Sequence, residues 1–337
     1  MTQTGLDAPR RILVAGATGY IGQPVVRALV AAGHDVIALS RRRAGVGASL
    51  DAGSIRKRLH GAEVRFGDVT DPTWVAKKGM AGAPFDAVVS CLASRTGDPR
   101  DAWRIDHGAN QHLLDAAMAR GVEHFVYLSA ICVQNPQLAF QHAKLAFEAA
   151  LRAAPIGHAI VRPTAFFKSI SGQVERVRRG RPFIVIGDGT SIACKPICAH
   201  DLANFIAAAV VDPRYRDRTL PIGGPGPALT PRDQGALLFE LTGRSPRFRE
   251  VPLKLLDAVV RVLSAAGRHS EILATKAELA RIGRYYATES MLVRDAATGH
   301  YDADATPSFG TTTLRDHYTR VLRDGLHGHE LGDHAVF

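Results

Sequence analysis

Three glycines near the start of the chain have the spacing of a phosphate-binding turn. They follow an apolar run of strand length at 12–15 and precede an apolar pattern of helical period. In such a turn the first glycine lets the chain leave a buried strand sharply, the second lets the backbone approach a pyrophosphate, and the third packs the helix against the strand. A purely structural turn is the alternative. The pattern predicts a dinucleotide site formed by Gly16, Thr18, Gly19, Tyr20, Ile21 and Gly22.

The residues after the second predicted strand indicate which dinucleotide binds. An NAD site usually has an acidic residue here, which accepts hydrogen bonds from the adenosine ribose. This chain instead has Ser40, Arg41 and Arg42. An aspartate would repel a 2′-phosphate, whereas an arginine binds it through charge-assisted hydrogen bonds of about 1.5–3 kcal/mol each. The pattern predicts NADPH as the cofactor, and a solvated basic loop is the alternative.

Residues at the ends of the next two predicted strands are assigned to the same cofactor. Asp68 and Val69 follow the third strand, where a carboxylate and a backbone N–H can bracket the adenine. Capping of the following helix is the alternative role for an aspartate in this segment. The small and apolar residues Cys91, Leu92 and Ala93 end the fourth strand, where the chain passes under the ribose and diphosphate.

A serine and a lysine in the middle of the chain are spaced as in short-chain dehydrogenases/reductases, which the segment resembles. Ser129 ends the fifth predicted strand, and Lys144 lies on the helix that follows. In that family a tyrosine four residues before the lysine protonates a carbonyl oxygen, but here the position is Phe140. Residues 140 and 144 share a helix face, so Lys144 can still reach the nicotinamide ribose, and we predict it as the catalytic residue. Phe140 cannot donate a proton, which leaves reduction of another bond type, or no catalysis.

Alternating strand and helix patterns position these residues. Helical patterns at 20–32, 50–59, 71–79, 100–120 and 137–153 separate apolar runs at 12–15, 36–39, 64–66, 87–91, 125–128 and 159–161. This order predicts an α/β fold with a doubly wound parallel sheet, of the Rossmann type that binds NAD(P). The ligand should lie at the carboxyl ends of the strands.

The chain is predicted to have two parts. The NADPH-binding Rossmann domain is expected over 8–165, and a smaller, mostly helical, substrate-binding part over 166–330. Strands near 183–187 and 219–222 are expected to rejoin the main sheet. The period of the apolar residues predicts a helix from Pro231 and helical structure over 252–282.

The composition excludes several classes of protein. The 337 residues have a net charge of +10 and 46% hydrophobic residues, and no apolar run approaches the roughly 18 residues that span a bilayer. Four scattered cysteines argue against a disulfide framework, and no metal site is predicted. No basic motif is interleaved with aromatic residues, so the charge favours an anionic cofactor, an acidic substrate or an anionic membrane surface over nucleic acid. The first strand begins too early for a leader peptide, so we expect a cytoplasmic protein.

Several later segments resemble one family much more specifically than the glycine turn does. They read LSAICVQ at 128–134, VRPTAFFKS at 161–169, GQV at 172–174, ACKPI at 193–197, LPIGGPG at 220–226, LTP at 229–231 and IGRYYA at 282–287. Together they resemble the NADPH-dependent divinyl chlorophyllide a 8-vinyl-reductases, an atypical short-chain dehydrogenase/reductase family, over about residues 10–332.

The resemblance implies a function and a setting. The activity would be reduction of the 8-vinyl group of a Mg-tetrapyrrole, divinyl chlorophyllide a, to an ethyl group in chlorophyll or bacteriochlorophyll biosynthesis. The macrocycle can hold the intermediate charge, so no tyrosine is needed at an oxygen. Plant members carry a transit peptide, which this chain lacks, so we expect a phototrophic bacterium. A transient contact with the photosynthetic membrane is also expected.

The same resemblance suggests further site residues. Pro163 and Thr164, after the sixth strand, are assigned to the cofactor together with Ser129. On the substrate side, Phe166 and Phe167 would stack on a flat tetrapyrrole, with core packing as an equal alternative. Phe140 would line the site by its shape, and Lys195 would pair with the substrate propionate unless it is a solvated charge. The alternative function is a non-catalytic NADPH-sensing or assembly protein of the atypical short-chain reductase type.

Overall fold

A seven-stranded parallel sheet lies at the centre of the molecule, whose computed structural model describes residues 8–45, 48–94 and 98–325. Its strands are β1 (Arg11–Ala15), β2 (Asp35–Ser40), β3 (Glu63–Phe66), β4 (Ala87–Ser90), β5 (His124–Leu128), β6 (Gly157–Pro163) and β8 (Arg218–Ile222). Their order is β3-β2-β1-β4-β5-β6-β8. The six predicted strands are confirmed to within two residues at either end, and so is the doubly wound α/β class.

Helices cover both faces of this sheet. They are α1 (Gly22–Ala31), α2 (Ala52–Arg58), α3 (Pro72–Trp74), α4 (Pro99–Ala102), α5 (Asn110–Ala119), α6 (Ala139–Ala153) and α8 (Ala199–Val211). The π-helical turns Val75–Gly79 and Trp103–Ala109 continue α3 and α4. Asp51 and Asp71 cap α2 and α3, because each carboxylate accepts a backbone N–H of the first turn.

The strands are apolar without alternation because both faces of the sheet are buried. Along β1, Ile12 packs in the core on the side of α1 and α8, and Leu13 packs in the core on the side of α5 and α6. On α6 the buried Phe147 and Leu151 are four residues apart, so that this face of the helix meets the sheet. Lys144 lies on the same side of α6 and is buried with them.

The chain beyond β6 adds a small second sheet. β7 (Phe183–Ile186) pairs in parallel with β9 (Phe248–Val251), while β8 pairs in parallel with β6. The strand near 219–222 therefore rejoins the main sheet, but the expectation that 183–187 does so is wrong. Phe183 instead packs against Phe248, with ring centroids 6.2 Å apart, in a separate apolar core. The helices α7 (Val174–Arg178), α9 (Pro231–Leu241) and α12 (Leu314–Asp324) surround that core.

The helical stretch predicted over 252–282 is two helices. They are α10 (Leu253–Ala266) and α11 (Glu271–Thr288), and Gly267 lies at the end of α10. A side chain there would place its Cβ 2.9 Å from the Ala274 backbone, so glycine permits the close approach of the two helices. Two short strands, β10 (Val293–Arg294) and β11 (Tyr301–Asp302), form a hairpin after α11. The division into two domains stays a prediction, and the end of its second range, 326–330, lies outside the described residues.

Candidate functional site

A cleft of about 1580 Å³ lies along the carboxyl ends of the parallel strands. The strand ends line it, as expected for a doubly wound sheet; the residues are Gly16 after β1, Ser40 in β2, Asp68 after β3, Cys91 after β4, Ser129 after β5 and Thr164 after β6. Three of the predicted site residues, Gly22, Arg42 and Lys195, are not among the residues that line the cleft.

The glycine turn leaves bare backbone at the start of α1. Gly16 has φ +75°, and a Cβ on it would lie 2.5 Å from the carbonyl oxygen of Cys91. A Cβ on Gly22 would lie 2.1 Å from the Gly16 oxygen, so Gly22 packs the helix onto the turn rather than facing the cleft. The N-cap residue Ile21 makes no side-chain hydrogen bond to α1. The turn therefore fits a pyrophosphate, because backbone N–H groups can approach it without obstruction.

The basic residues around Ser40 divide into two groups. Ser40 is buried, and its hydroxyl donates to the carbonyl oxygen of Arg41 at 2.9 Å. Arg41 lines the cleft, whereas the guanidinium of Arg42 lies over the Phe66 ring, 5.8 Å from its centroid. Two more cations line this end of the cleft: Arg43, which continues the run of arginines after Ser40, and Arg58, which was not predicted. The signal for Arg58 was the basic last turn of α2. The exposed guanidinium groups at this end of the cleft are of the type that binds phosphate groups.

The predicted adenine and ribose residues also line the cleft. Asp68 accepts hydrogen bonds from the Thr70 backbone N–H at 2.9 Å and the Thr70 hydroxyl at 2.8 Å. Burial would raise the pKa of Asp68, but these hydrogen bonds outweigh it and lower the pKa. Val69, Leu92 and Ala93 lie beside it in the lining. Burial raises the pKa of the Cys91 thiol to about 12, so that the group stays neutral.

Lys144 is buried in an ion pair that the sequence did not reveal. Its Nζ lies 3.0 Å from Oδ1 of Asp106 and donates to the hydroxyl of Tyr127 at 3.4 Å. The other oxygen of Asp106 accepts from the hydroxyl of Ser94 at 2.6 Å. Burial opposes the charge of Lys144, but Tyr127 and Asp106 outweigh it and raise its pKa. The ammonium group is therefore charged and held in one place, at the edge of the cleft.

Ser129 is hydrogen-bonded to a second buried acid, Glu148. Its hydroxyl donates to Oε1 of Glu148 at 2.6 Å, and Glu148 is wholly buried. Arg152, at 2.6 Å, and Arg162 both donate to Oε2 of Glu148. Burial would raise the pKa of Glu148, yet the hydrogen bond from Arg162 and the neighbouring charges lower it. The signal for Glu148 was its spacing of four residues from Lys144 on α6. The Ser129 proton is thus directed away from the cleft.

Of the four predicted substrate residues, two have side chains that are accessible from the cleft. Phe140 and Phe166 are half-buried and line the cleft, and the Phe166 ring lies 5.9 Å from that of Tyr20. Phe167 borders the cleft but is only 1% exposed, because it packs in the separate apolar core that contains Phe183. The ring centroids of Phe167 and His317 are 5.1 Å apart. The ammonium of Lys195 donates to the carbonyl oxygen of Thr306 at 3.0 Å. That bond turns Lys195 away from the cleft, which corrects its expected place beside the substrate.

The far wall of the cleft comes from α11 and the turn after it. The segment at 282–287 is one of those that carry the family resemblance, and none of the residues that line this wall was predicted as a site residue. The residues that line this wall are Glu278, Ile282, Tyr286, Ala287, Glu289 and Met291. Pro163 and Thr164 line the floor after β6, where the Thr164 hydroxyl donates to the carbonyl oxygen of Lys195.

Known proteins match the sequence of this chain over almost its whole length, and others share its fold. A family model described as NAD(P)H-binding matches residues 16–213. The chloroplastic divinyl chlorophyllide a 8-vinyl-reductase of Oryza sativa subsp. indica is 48% identical over 331 residues, covering 97% of this chain and 82% of that protein. The photosystem II assembly factor Ycf39 of a Synechocystis strain is 23% identical, covering 93% of this chain and 92% of its own.

A solved structure supports the fold. The NADPH-dependent quinone oxidoreductase of Escherichia coli, complexed with NADPH, superimposes with a TM-score of 0.65 at 16% identity, covering 92% of this chain and 99% of that one. At this identity the likeness concerns the fold alone. The sequence identity to the plant reductase, 48%, is three times as high. This chain, with its NAD(P)H-binding Rossmann fold, belongs to the divinyl chlorophyllide a 8-vinyl-reductase family.

Proposed function

We propose that this chain reduces the 8-vinyl group of divinyl chlorophyllide a to an ethyl group with NADPH, in chlorophyll or bacteriochlorophyll biosynthesis. The observation that carries the proposal is the pair Phe140 and Lys144, both lining one cleft. The lysine of a short-chain reductase is present there, but the hydroxyl that would protonate a carbonyl oxygen is missing. A carbon–carbon double bond needs no proton at an oxygen, and the 48% identity to a vinyl reductase agrees with that chemistry.

The cofactor roles follow from the geometry of the cleft. The backbone at Gly16 and Gly19 would hold the pyrophosphate, and Arg41 would bind the 2′-phosphate with help from Arg43. Lys144 would donate to the nicotinamide ribose and so orient the ring. When bound, NADPH supplies the hydride, and the protein supplies position, since small misplacements of reacting atoms lower the rate steeply.

The size and lining of the cleft suit a second, large ligand. Its volume of about 1580 Å³ exceeds the roughly 300–1,000 Å³ that is typical of a pocket for one small molecule. Phe140, Phe166, Ile282 and Met291 give the cleft apolar walls. A flat macrocycle can pack between such side chains while the dinucleotide occupies the strand ends.

We further propose that the protein works in the cytoplasm of a phototrophic bacterium and touches the photosynthetic membrane through α10. Leu255, Val259 and Val262 lie at helical spacing on its outer face and are 55%, 41% and 67% exposed. Lys254 and Arg261 are exposed beside them. An apolar stripe flanked by basic residues suits the surface of an anionic membrane. α11, which packs on α10, also lines the cleft, so an apolar pigment would have a short path from the membrane.

The membrane contact would be peripheral. Among the described residues, no helix has the length and apolar character that crossing a bilayer requires.

One assay separates the proposed enzyme from the alternative of a non-catalytic NADPH-binding assembly protein. Purified protein is mixed with NADPH and divinyl chlorophyllide a, and the Soret band is followed together with NADPH oxidation. We expect the band to shift as the conjugated vinyl group is lost, with one NADPH consumed per pigment. Tight NADPH binding with an unchanged pigment spectrum would instead favour the assembly role.

A further inference from the structure

Three hydroxyl groups that line the cleft donate their protons to acceptors inside the protein. Ser129 donates to Glu148, Ser94 donates to Asp106, and Thr164 donates to the backbone. Each of these protons is held by a strong acceptor inside the protein. Of the buried carboxylates beside these hydroxyls, Asp106 is in an ion pair with Lys144, and Glu148 is in ion pairs with Arg152 and Arg162. None of these groups is arranged to release a proton into the cleft.

Tyr286 is arranged differently. It lies on α11, is half-buried and lines the cleft. The partner that the structure shows for its hydroxyl, within the described residues, is the sulfur of Cys132 at 3.7 Å. A thiol sulfur is a weak acceptor, so the phenolic proton is loosely held. Tyr286 therefore presents a hydroxyl that a bound ligand can compete for.

The adjacent residue, Tyr285, holds the part of α11 that carries Tyr286 in position. The hydroxyl of Tyr285 donates to the carbonyl oxygens of Cys132 at 2.8 Å and Asn135 at 3.0 Å. These bonds attach α11 to the turn that follows β5, and the two tyrosine rings pack edge to face with centroids 5.6 Å apart. Phe140 and Tyr286 both pack against the apolar cluster around Cys132. A phenol from α11 thus reaches the region where α6 has a phenylalanine.

We infer that Tyr286 donates the proton that completes vinyl reduction, supplying from α11 the hydroxyl that position 140 lacks. The inference rests on the proposed function. Burial, followed by the neighbouring Cys132, raises the pKa of Tyr286 well above its ordinary value, so the phenol is protonated at every physiological pH. Burial also raises the pKa of Cys132, which keeps that thiol neutral.

The step balances with solvent as the only further reactant. A hydride from NADPH forms a C–H bond at one vinyl carbon, and the electron pair of the C=C π bond moves to the other carbon and the macrocycle. The O–H bond of Tyr286 breaks, and its proton forms the second C–H bond with that electron pair. NADPH is oxidised by two electrons and the vinyl group is reduced by two. The phenolate of Tyr286 then takes a proton from water.

The test compares Tyr286→Phe with Tyr285→Phe, a matched loss of one hydroxyl on the adjacent residue. Steady-state kinetics are measured in H₂O and D₂O, together with the melting temperature and the Kd for NADPH. We expect Tyr286→Phe to lower kcat by about 10²–10⁴-fold, the usual contribution of a positioned acid, with folding and NADPH affinity unchanged. We expect Tyr285→Phe to lower the melting temperature but to keep the solvent isotope effect on kcat.

A second variant gives a positive signature. Tyr286→His places an acid at the same site that is protonated only below about pH 6.5, the ordinary histidine pKa, so the kcat of this variant should fall as pH rises through that value. Wild-type kcat and solvent isotope effect in Tyr286→Phe would overturn the inference while leaving vinyl reduction intact. Failure of the unaltered protein to reduce the pigment would overturn the proposed function, and this inference with it.

Discussion

The ammonium group of Lys144 lies 3.0 Å from the carboxylate of Asp106, with both side chains almost wholly buried. Asp106 belongs to the π-helical turn Trp103–Ala109, and Lys144 belongs to α6. π-Helical turns often occur at functional sites because they displace a side chain from the regular helical position. Here the turn brings a carboxylate to the lysine, which stays charged and fixed where the nicotinamide ribose is proposed to bind.

Asp106→Asn should lower both stability and turnover. Removing one partner of a buried pair costs about 3–5 kcal/mol, because the other charge is left uncompensated. Burial opposes the charge of Lys144, and Tyr127 and Asp106 raise its pKa in the unaltered protein, so the loss of Asp106 should lower that pKa. The variant should lose activity as pH rises through that lowered pKa, while the unaltered protein keeps this group charged. Chemical denaturation and a pH profile of kcat measure the two effects.

Asp115→Asn is a suitable control for that experiment. Asp115 is exposed on α5, where it accepts a hydrogen bond from Gln111 at 2.8 Å. A surface change of this kind usually alters stability by less than about 0.5 kcal/mol. If Asp106→Asn behaved like this control in stability and pH profile, the ion pair would have no role in holding Lys144.

Arg41→Ala should weaken NADPH binding selectively. Loss of one charge-assisted contact of about 1.5–3 kcal/mol predicts an increase of roughly 10–150-fold in the Kd for NADPH, with little change for NADH. Arg42→Ala is the matched control, because Arg42 lies over Phe66 and does not line the cleft. Fluorescence titration with both dinucleotides gives the four constants. Equal weakening of NADPH and NADH by Arg41→Ala would contradict its role at the 2′-phosphate.

Phe140→Tyr should not increase turnover. Phe140 is half-buried against an apolar cluster, so a new hydroxyl there would lie without a partner against an apolar ligand. An unpaired buried hydroxyl costs roughly 1–3 kcal/mol on mutational scales, so we expect equal or weaker pigment binding. Steady-state kinetics at saturating NADPH measure the change. A several-fold faster variant would show that the reaction is limited by the lack of a proton donor at this position.

Val262→Glu should weaken binding to anionic vesicles. Val262 is 67% exposed on the outer face of α10, and a carboxylate there both interrupts the apolar stripe and repels anionic lipid. Thr319→Glu, at an exposed position of α12, adds the same charge elsewhere. Co-sedimentation with phosphatidylglycerol–phosphatidylcholine vesicles measures binding, which should also weaken in high salt because exposed charges are screened. Equal binding by the two variants at low salt would exclude α10 as the contact surface.

Features that depend on neighbours along the chain were predictable. The apolar run, glycine turn and helix around Gly16 are local patterns, and so is the shared helix face of Phe140 and Lys144. Continuous apolar runs predicted the strands, because both faces of the sheet exclude water. The helical period of the apolar residues predicted most helices. The positions of Ser129 after β5 and of Lys144 on α6 were therefore enough to predict that both residues line the cleft.

Contacts between distant segments were decided only by the tertiary structure. Lys144 meets an acid 38 residues earlier in the chain, and Cys132 meets Tyr286 154 residues later. A lone aspartate or tyrosine in a helix has no local signature, since its role depends on what packs against that helix. The sequence left open whether Lys195 faces the substrate or the solvent. Its hydrogen bond to the carbonyl oxygen of Thr306 turns it away from the cleft. Local periodicity selects elements and their buried faces, whereas the partners of single polar groups depend on how those elements pack together.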